Sequence, residues 1–327
     1  MSSIKVSVIV PAYNSAEFIH VCLDSLVAQT IDSLEVVAVN DGSADNTMDI
    51  IREYERKYPD IVKGYDKPNS GVADTRNFGV SHANGEFIGF VDSDDCVEPE
   101  FFEKLYDAAK KYGTDIAACN VIEIIGNESN VHVQNRIKQE GTISLEENPE
   151  KINLCRPYLW NKVIRREIFN EDNMFPYGIY YEDVAVIYGI LFTADRIALV
   201  PDVHYIYRRL RDDSVSNSSD EKAFDVFKAC DIIDERAHRL NDYSKIGKVI
   251  EWVIIVHIFI RVKRAYDNSN KDFKLKFIDR AYEYLDEKFP DWKSNQYYFS
   301  NKKNWIFKSK TLAKLVFVYC NFLPVKM

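Results

Sequence analysis

The sequence predicts an α/β fold: a mostly parallel sheet with helices on both faces, followed by a C-terminal helical appendage. Three observations predict it. Short apolar strands alternate with amphipathic helices through the first half of the chain. Two of those strands end in acidic turns, as in α/β sheets that bind ligands at the carboxyl ends of their strands. Beyond about residue 205 the helical period continues alone.

In chain order, Val6 to Val10 reads as a buried strand ending at Pro11, and Asn14 with Glu17 forms a candidate capping box for the helix that follows. In that helix Phe18, Ile19, Cys22, Leu23, Leu26 and Val27 recur at helical spacing and make one apolar face. Leu34 to Val39 is the second strand and runs into Asn40-Asp41-Gly42-Ser43. A helix from Asp45 to Lys57 then leads to a short strand over Ile61 to Tyr65. A further helix spans about Gly71 to Ala83, and Glu86 to Val91 is the fourth strand, ending at Asp92-Ser93-Asp94-Asp95. Pro99 opens a helix to about Lys111, and Asp115 to Ile125 reads as a strand. Helices over Glu221 to Leu240, Lys245 to Tyr266 and Asp272 to Lys288 form the appendage, with a boundary in the polar stretch Asp212 to Ser219.

Composition narrows the class. A chain of 327 residues with 46% hydrophobic and 28% charged residues can bury a core, and it has no repeated or Pro/Gly-rich stretch. Its six cysteines lie far apart with no CxxC pair, which argues against zinc and a disulfide framework and fits a reducing, cytoplasmic setting. The N-terminus lacks the apolar core of a signal peptide, and the longest uncharged apolar runs fall well short of the ~20 residues of a membrane span. The net charge is −9, yet from Trp292 onward there are seven lysines and no Asp or Glu. An acidic body argues against nucleic-acid binding. The basic tail, interleaved with Trp305, Phe307, Leu312 and Leu315, fits either a solvated terminal helix or peripheral contact with an anionic membrane.

Asp92, Asp94 and Asp95 directly follow the apolar strand Phe87 to Val91, and three carboxylates so close repel one another unless a cation neutralises them. Oxygen-only ligands at a strand end suit Mg²⁺ or Mn²⁺; a solvated turn that caps the next helix is the competing reading. Asp41 ends another strand, where a carboxylate can accept a hydrogen bond from a base or ribose and Gly42 permits close approach. By itself an Asp-Gly turn is common.

Together four ordered segments carry more. Val8-Ile9-Val10-Pro11-Ala12-Tyr13-Asn14, then Val39-Asn40-Asp41-Gly42-Ser43, then Asn69-Ser70-Gly71-Val72-Ala73-Asp74-Thr75-Arg76-Asn77, then Gly85 through Asp95 resemble the family 2 glycosyltransferases over about residues 4 to 210. The resemblance implies the GT-A fold, a nucleotide-diphosphate-sugar donor, a divalent metal and inversion at the anomeric carbon. With the change to helices alone at the polar stretch, the chain is expected to divide into a nucleotide-sugar-binding and catalytic domain over 1–215 and a helical region over 216–327. Pro11, Ala12, Tyr13 and Asn14 would surround the nucleobase, with Asp41 on a uracil edge, making a UDP-sugar the expected donor. Asn69 and Ser93 join the nucleotide site, and Arg76 would pair with diphosphate oxygens. Asp92 and Asp94 form the DxD pair for ribose and metal, with Asp95 beside them as a further candidate ligand.

A second acidic pair, Glu182-Asp183, precedes an apolar run from Val184 to Phe192 and could simply favour a helix dipole. In the family such a pair supplies the general base that inversion requires, which points to Asp183 first and Glu182 second. Trp160-Asn161-Lys162 resembles a family segment that shapes the acceptor or sugar pocket, although Trp160 fits a core position equally. His204 through Arg211 could bring a cation or a histidine towards the site, or be an ordinary strand and loop. The resemblance implies a glycan acceptor in a bacterial surface polysaccharide of capsule, exopolysaccharide or lipopolysaccharide type, and the basic tail suggests that the acceptor is lipid-linked. A sugar nucleotidylyltransferase would instead need a glycine-rich loop where Pro11-Ala12-Tyr13-Asn14 stands. An inactive partner of an active transferase would not need Asp92, Asp94 and Asp183.

Overall fold

The computed structural model describes residues 4–126, 130–209, 221–240, 243–265 and 270–319. It divides into two compact units, Met1–Gly178 with Glu182–Arg211, and Ile179–Tyr181 with Asp212–Met327. The boundary expected between residues 212 and 219 lies outside the described residues.

The first unit is built on one sheet. Its strands are β1 (Val6–Ala12), β2 (Leu34–Asp41), β3 (Val62–Lys67), β4 (Phe87–Phe90), β5 (Cys96–Val97), β6 (Ile116–Ile125), β7 (Val131–Gln134), β8 (Gly141–Ile143), β9 (Lys162–Arg165) and β10 (Ile197–Arg209). Their order across the sheet is β3-β2-β1-β4-β9-β6-β10-β5, with β7 pairing β6 and β8 pairing β10. The four strands on one side, β3, β2, β1 and β4, are parallel. β1 and β2 are buried along their whole length, as expected of parallel strands covered on both faces. The other half is mixed, because β9 runs antiparallel to both neighbours, β4 and β6. Sequence period alone does not report strand direction, so this insertion was not legible beforehand.

Helices α1 (Ile19–Val27), α2 (Thr47–Lys57), α3 (Val72–His82) and α4 (Phe101–Tyr112) connect the early strands, and α5 (Ile152–Cys155) and α6 (Glu182–Thr193) follow. α1 buries Ile19, Cys22, Leu23 and Leu26, the apolar face expected for it. It does not begin with a capping box, however. Phe18 occupies the N-cap position and no side chain caps the helix. Asn14 is instead left-handed, with φ 47°, and its Oδ1 accepts the Ala44 N–H at 2.9 Å. That side chain pins one loop to another rather than closing a helix end.

The second unit contains α7 (Asp225–His238), α8 (Tyr243–Ala265), α9 (Lys271–Lys288), α10 (Gln296–Phe299) and α11 (Lys310–Lys314). Its aromatic centre includes Phe259, which stacks on Phe307 with ring centroids 4.2 Å apart, and fully buried Trp292. No helix among the described residues is long and apolar enough to cross a membrane.

Candidate active site

The carboxyl ends of β1, β2, β3 and β4 meet at one edge of the parallel half-sheet, and side chains tie their loops together. The Asn14 N–H donates to Ser43 Oγ at 2.9 Å, linking the loops after β1 and β2. Ser15 Oγ and Ser93 Oγ lie 2.8 Å apart, linking the loop after β1 to the acidic segment after β4. Gly42 holds φ 65°, and a Cβ there would stand 2.7 Å from the backbone nitrogen of Asn69, so the loops after β2 and β3 approach as only glycine permits. Pro11 and Ala12 are buried at the end of β1, whereas Tyr13 stands 53% exposed above them.

Asp41 is drawn into this framework more completely than expected. Its Oδ1 accepts Lys67 Nζ at 2.6 Å and the Ser70 N–H at 3.0 Å; its Oδ2 accepts the Gly71 N–H at 2.9 Å. Asn69 Nδ2 donates to the Asp41 carbonyl. Burial works against ionisation of this carboxyl, yet Lys67 and the two backbone donors hold it below the usual carboxylate range. Asp41 therefore orders the loop after β3.

The three aspartates after β4 have different surroundings. Asp92 is partly open, with a side chain 31% exposed, and Asp94 is half-buried. Asp95 is fully buried, and its two oxygens are already occupied: Tyr205 Oη donates to Oδ2 at 2.7 Å and the Arg208 N–H donates to Oδ1 at 2.7 Å. Burial, and then the charges of Asp94 and Asp92, push its carboxyl well above the ordinary range. Asp95 thus ties the acidic loop to β10 rather than presenting an open ligand, which departs from its expected place among the metal ligands. The remaining pair still fits a hard cation: Mg²⁺ and Mn²⁺ are typically held by one or two carboxylates while substrate phosphates and water complete the shell. Asp92 and Asp94 are the residues that would hold it.

Arg76, from α3, occupies a position the sequence did not indicate. Its guanidinium is buried between two carboxylates, donating to Glu182 Oε1 at 2.6 Å and to Asp92 Oδ1 at 3.2 Å, and it lies over the Phe175 ring at 5.7 Å. Burial opposes its charge, but Asp92, Glu182 and Asp183 outweigh that and hold it protonated. Expected near the donor diphosphate, it clamps the end of β4 to the first turn of α6. Its Nε is buried with no partner among the described residues. Glu182 is buried too, and desolvation raises its carboxyl despite Arg76, with Asp183 adding to the rise. Asp183, one residue on, is half-buried, and its Oδ1 accepts the Val184 N–H at 2.8 Å.

The Trp160 segment divides in two. Trp160 is half-buried in an aromatic stack with Tyr158, Tyr205 and Tyr207, at ring centroid distances of 4.3, 4.2 and 5.6 Å. Through Tyr205 it reaches the acidic loop, since the Asp92 N–H donates to Tyr205 Oη at 3.1 Å. Asn161 and Lys162 do not join it: both are fully buried. Asn161 Nδ2 donates to the Cys119 carbonyl, and Lys162 Nζ donates to the carbonyls of Cys155, Arg156 and Tyr158 and to Asn161 Oδ1. An ammonium with four acceptors around it in the interior braces the turn before β9; it does not line a sugar pocket. His204 bonds Asn135 and Glu98. Tyr205 and Arg208 of β10 both reach the acidic loop; for Arg208 the expectation is that the His204 to Arg211 stretch could bring a cation there, and for Tyr205 the signal is strand alternation with Tyr207.

Residues 7–172 match the model of glycosyl transferase family 2. EpsH and EpsJ of Bacillus subtilis (strain 168), both named as glycosyltransferases, are 30% and 31% identical to the chain over 82% and 62% of its length. The chain covers 79% of EpsH but 60% of EpsJ, so it spans about three fifths of the latter relative. Among solved structures, S. aureus TarS 1-349 in complex with UDP-GlcNAc superposes with a TM-score of 0.79 at 20% identity, covering 96% of this chain and 89% of that one. The likeness is one of fold, the GT-A arrangement that the four strand-end segments led us to expect. By its matched family model and by its relatives, the chain belongs to glycosyl transferase family 2.

Proposed function

We propose that the chain is an inverting glycosyltransferase that moves a hexose or N-acetylhexosamine from a UDP-sugar to a hydroxyl of a glycan acceptor, lipid-linked, in the synthesis of a surface polysaccharide. The observation that supports this most is the Asp92–Arg76–Glu182 bridge, which sets the end of β4 against the first turn of α6. In the proposed reading that bridge would hold the donor site beside the proton acceptor. TarS, whose complex holds UDP-GlcNAc, lends its fold to the choice of a uridine donor.

In this reading the uridine lies along the loops after β1 and β2, bounded by Pro11, Ala12, Tyr13 and Asn14, with Asp41 and Asn69 beneath it. Asp92 and Ser93 face the ribose, and Asp92 with Asp94 would hold Mn²⁺ or Mg²⁺. The chemistry such an ion supplies when bound is Lewis acidity towards the departing diphosphate. Asp183 takes the proton of the acceptor hydroxyl as its oxygen forms the new bond to the anomeric carbon, while the bond to the diphosphate oxygen breaks and UDP leaves with the electron pair. Glu182 is committed to Arg76, so its role is to place Asp183 rather than to accept the proton. Trp160, stacked on Tyr205, borders the sugar. A reducing, cytoplasmic setting suits the five free cysteines among the described residues.

The test is a panel of UDP-glucose, UDP-galactose and their N-acetyl forms, with UDP release followed with and without Mn²⁺. Release from at least one donor should require the metal and vanish in Asp94→Ala. Asp183→Asn should bind UDP as the native chain does while losing transfer. Transfer by Asp183→Asn at the native rate removes Asp183 as the base, and absence of UDP release from every donor sinks the donor assignment. Pyrophosphate release from a sugar phosphate and UTP would favour a nucleotidylyltransferase instead.

A further inference from the structure

We propose that the basic C-terminal segment of the helical unit is a docking surface for an anionic lipid bilayer. Trp305, Leu312 and Leu315 enter the headgroup region, and Lys302, Lys303 and Lys308 meet lipid phosphates. This goes beyond the transfer reaction and does not depend on which sugar is moved.

The segment has an inner and an outer face. Phe307, Ala313, Val316 and Phe317 are buried, Phe307 stacks on Phe317 with centroids 5.4 Å apart, and Tyr282 Oη donates to the Phe307 carbonyl at 2.8 Å. Packing against the unit is thus already supplied. Trp305, Leu312 and Leu315 point the other way, 62%, 41% and 52% exposed. They are three of the nine large hydrophobic residues exposed among the described residues, and they fall within eleven positions of one another in the chain.

The lysines of the same segment divide likewise. Lys310 and Lys314 pair with Asp279, and Lys293 pairs with Asp286, which fasten the segment to α9. Lys302, Lys303 and Lys308 are exposed and form no ion pair among the described residues. Lys308 lies 5.5 Å from the Trp305 ring centroid, so cation and indole share one surface. Positive charge accumulates behind it as well: burial and the neighbouring Lys303 draw Lys263 below the usual lysine range. No Asp or Glu occurs from Trp292 to Met327 to offset this.

The two faces together select the occupant. A soluble anionic polymer would satisfy the lysines but leave Trp305, Leu312 and Leu315 in water. A bilayer interface accepts both, because indoles and short apolar side chains settle at headgroup depth while ammonium groups meet the anionic surface. The acidic remainder of the chain does not prevent contact, since its charges are screened beyond about 8 Å at physiological salt. With no spanning helix among the described residues, the contact is one of surface only.

The experiment is vesicle co-sedimentation of the full chain, with phosphatidylcholine alone and with added phosphatidylglycerol, at low and high salt. Binding should require phosphatidylglycerol and weaken with salt. Lys302→Gln, Lys303→Gln and Lys308→Gln combined should bind about 100-fold more weakly, at about fivefold for each lysine. Trp305→Ser, Leu312→Ser and Leu315→Ser combined should also lose binding, with melting temperature unchanged in both variants because all six side chains are on the surface. Equal binding to neutral vesicles, or native affinity in the lysine variant, overturns the proposal. Native affinity in the apolar variant overturns the entry of Trp305, Leu312 and Leu315 into the headgroup region. Sedimentation needs no turnover, so its outcome stands apart from that of the UDP-release assay.

Discussion

Replacing Arg76 by Met removes the cation between Asp92 and Glu182 while keeping a flexible apolar chain against Phe175. The two carboxylates respond unequally. The Asp92 side chain is 31% exposed and can hydrate, but that of Glu182 is 12% exposed and would be left charged in the interior. Stranding one partner of a buried pair costs about 3–5 kcal/mol, which at roughly 2–4 °C per kcal/mol lowers the melting temperature by about 6–20 °C. The loss should depend on pH with a definite sign. Burial already raises the folded carboxyl of Glu182, and Arg76 is the largest influence opposing that rise. Without Arg76 the folded value moves higher still above the unfolded one. Between the two values the folded state binds more protons, so stability falls as pH rises through that window and the variant's deficit is largest above it. Chemical denaturation from pH 4.5 to pH 8 measures this, and adding Glu182→Gln should restore much of the stability because the stranded group can no longer ionise. A deficit that does not change with pH, or one that simply adds to the effect of Glu182→Gln, refutes the bridge as an electrostatic clamp.

Tyr205→Phe should lower stability by about 1–3 kcal/mol, since it leaves a buried oxygen of Asp95 without its donor and the Asp92 N–H without its acceptor. It should also weaken UDP binding by calorimetry more than Tyr207→Phe does; equal effects would detach β10 from the site. For Lys162, burial pulls the ammonium down to about 7, so the unfolded chain holds one more proton from there up to about pH 10.5. Its contribution to stability therefore grows as pH rises through that window, by about 2 kcal/mol between pH 7 and pH 9. Lys162→Met should abolish this gain and leave three backbone carbonyls without their donor, so the stability gap to the native chain should widen with pH; a gap that narrows contradicts the assignment.

Much of this architecture is written in local pattern. The apolar run of β1 and β2, the helical spacing of Ile19, Cys22, Leu23 and Leu26, and the placement of Asp41 and Asp92 at strand ends all follow from periods of two and 3.6 residues that neighbouring side chains impose. Asn14 shows the limit. Its spacing to Glu17 satisfies a helix cap, but Ala44, thirty residues away, offered its N–H and took the side chain. Lys162 shows another: in the Trp160-Asn161-Lys162 segment it reads as a pocket residue, and only the turn at Cys155 to Tyr158 folding over it makes an interior amine tolerable.

The sequence alone determined the alternation of β1 through β4 with α1 through α3, the family that its four segments resemble, and the placing of Asp41 and Asp92 at strand ends, because each rests on residues close together in the chain. Tertiary structure alone decided what those residues do to one another. Asp95 faces Tyr205 across 110 positions and Arg76 faces Glu182 across 106, and no local period carries such pairings. They arise where β10 and α6 pack beside the end of β4, where burial makes an unpaired charge too costly to leave and thereby selects its partner.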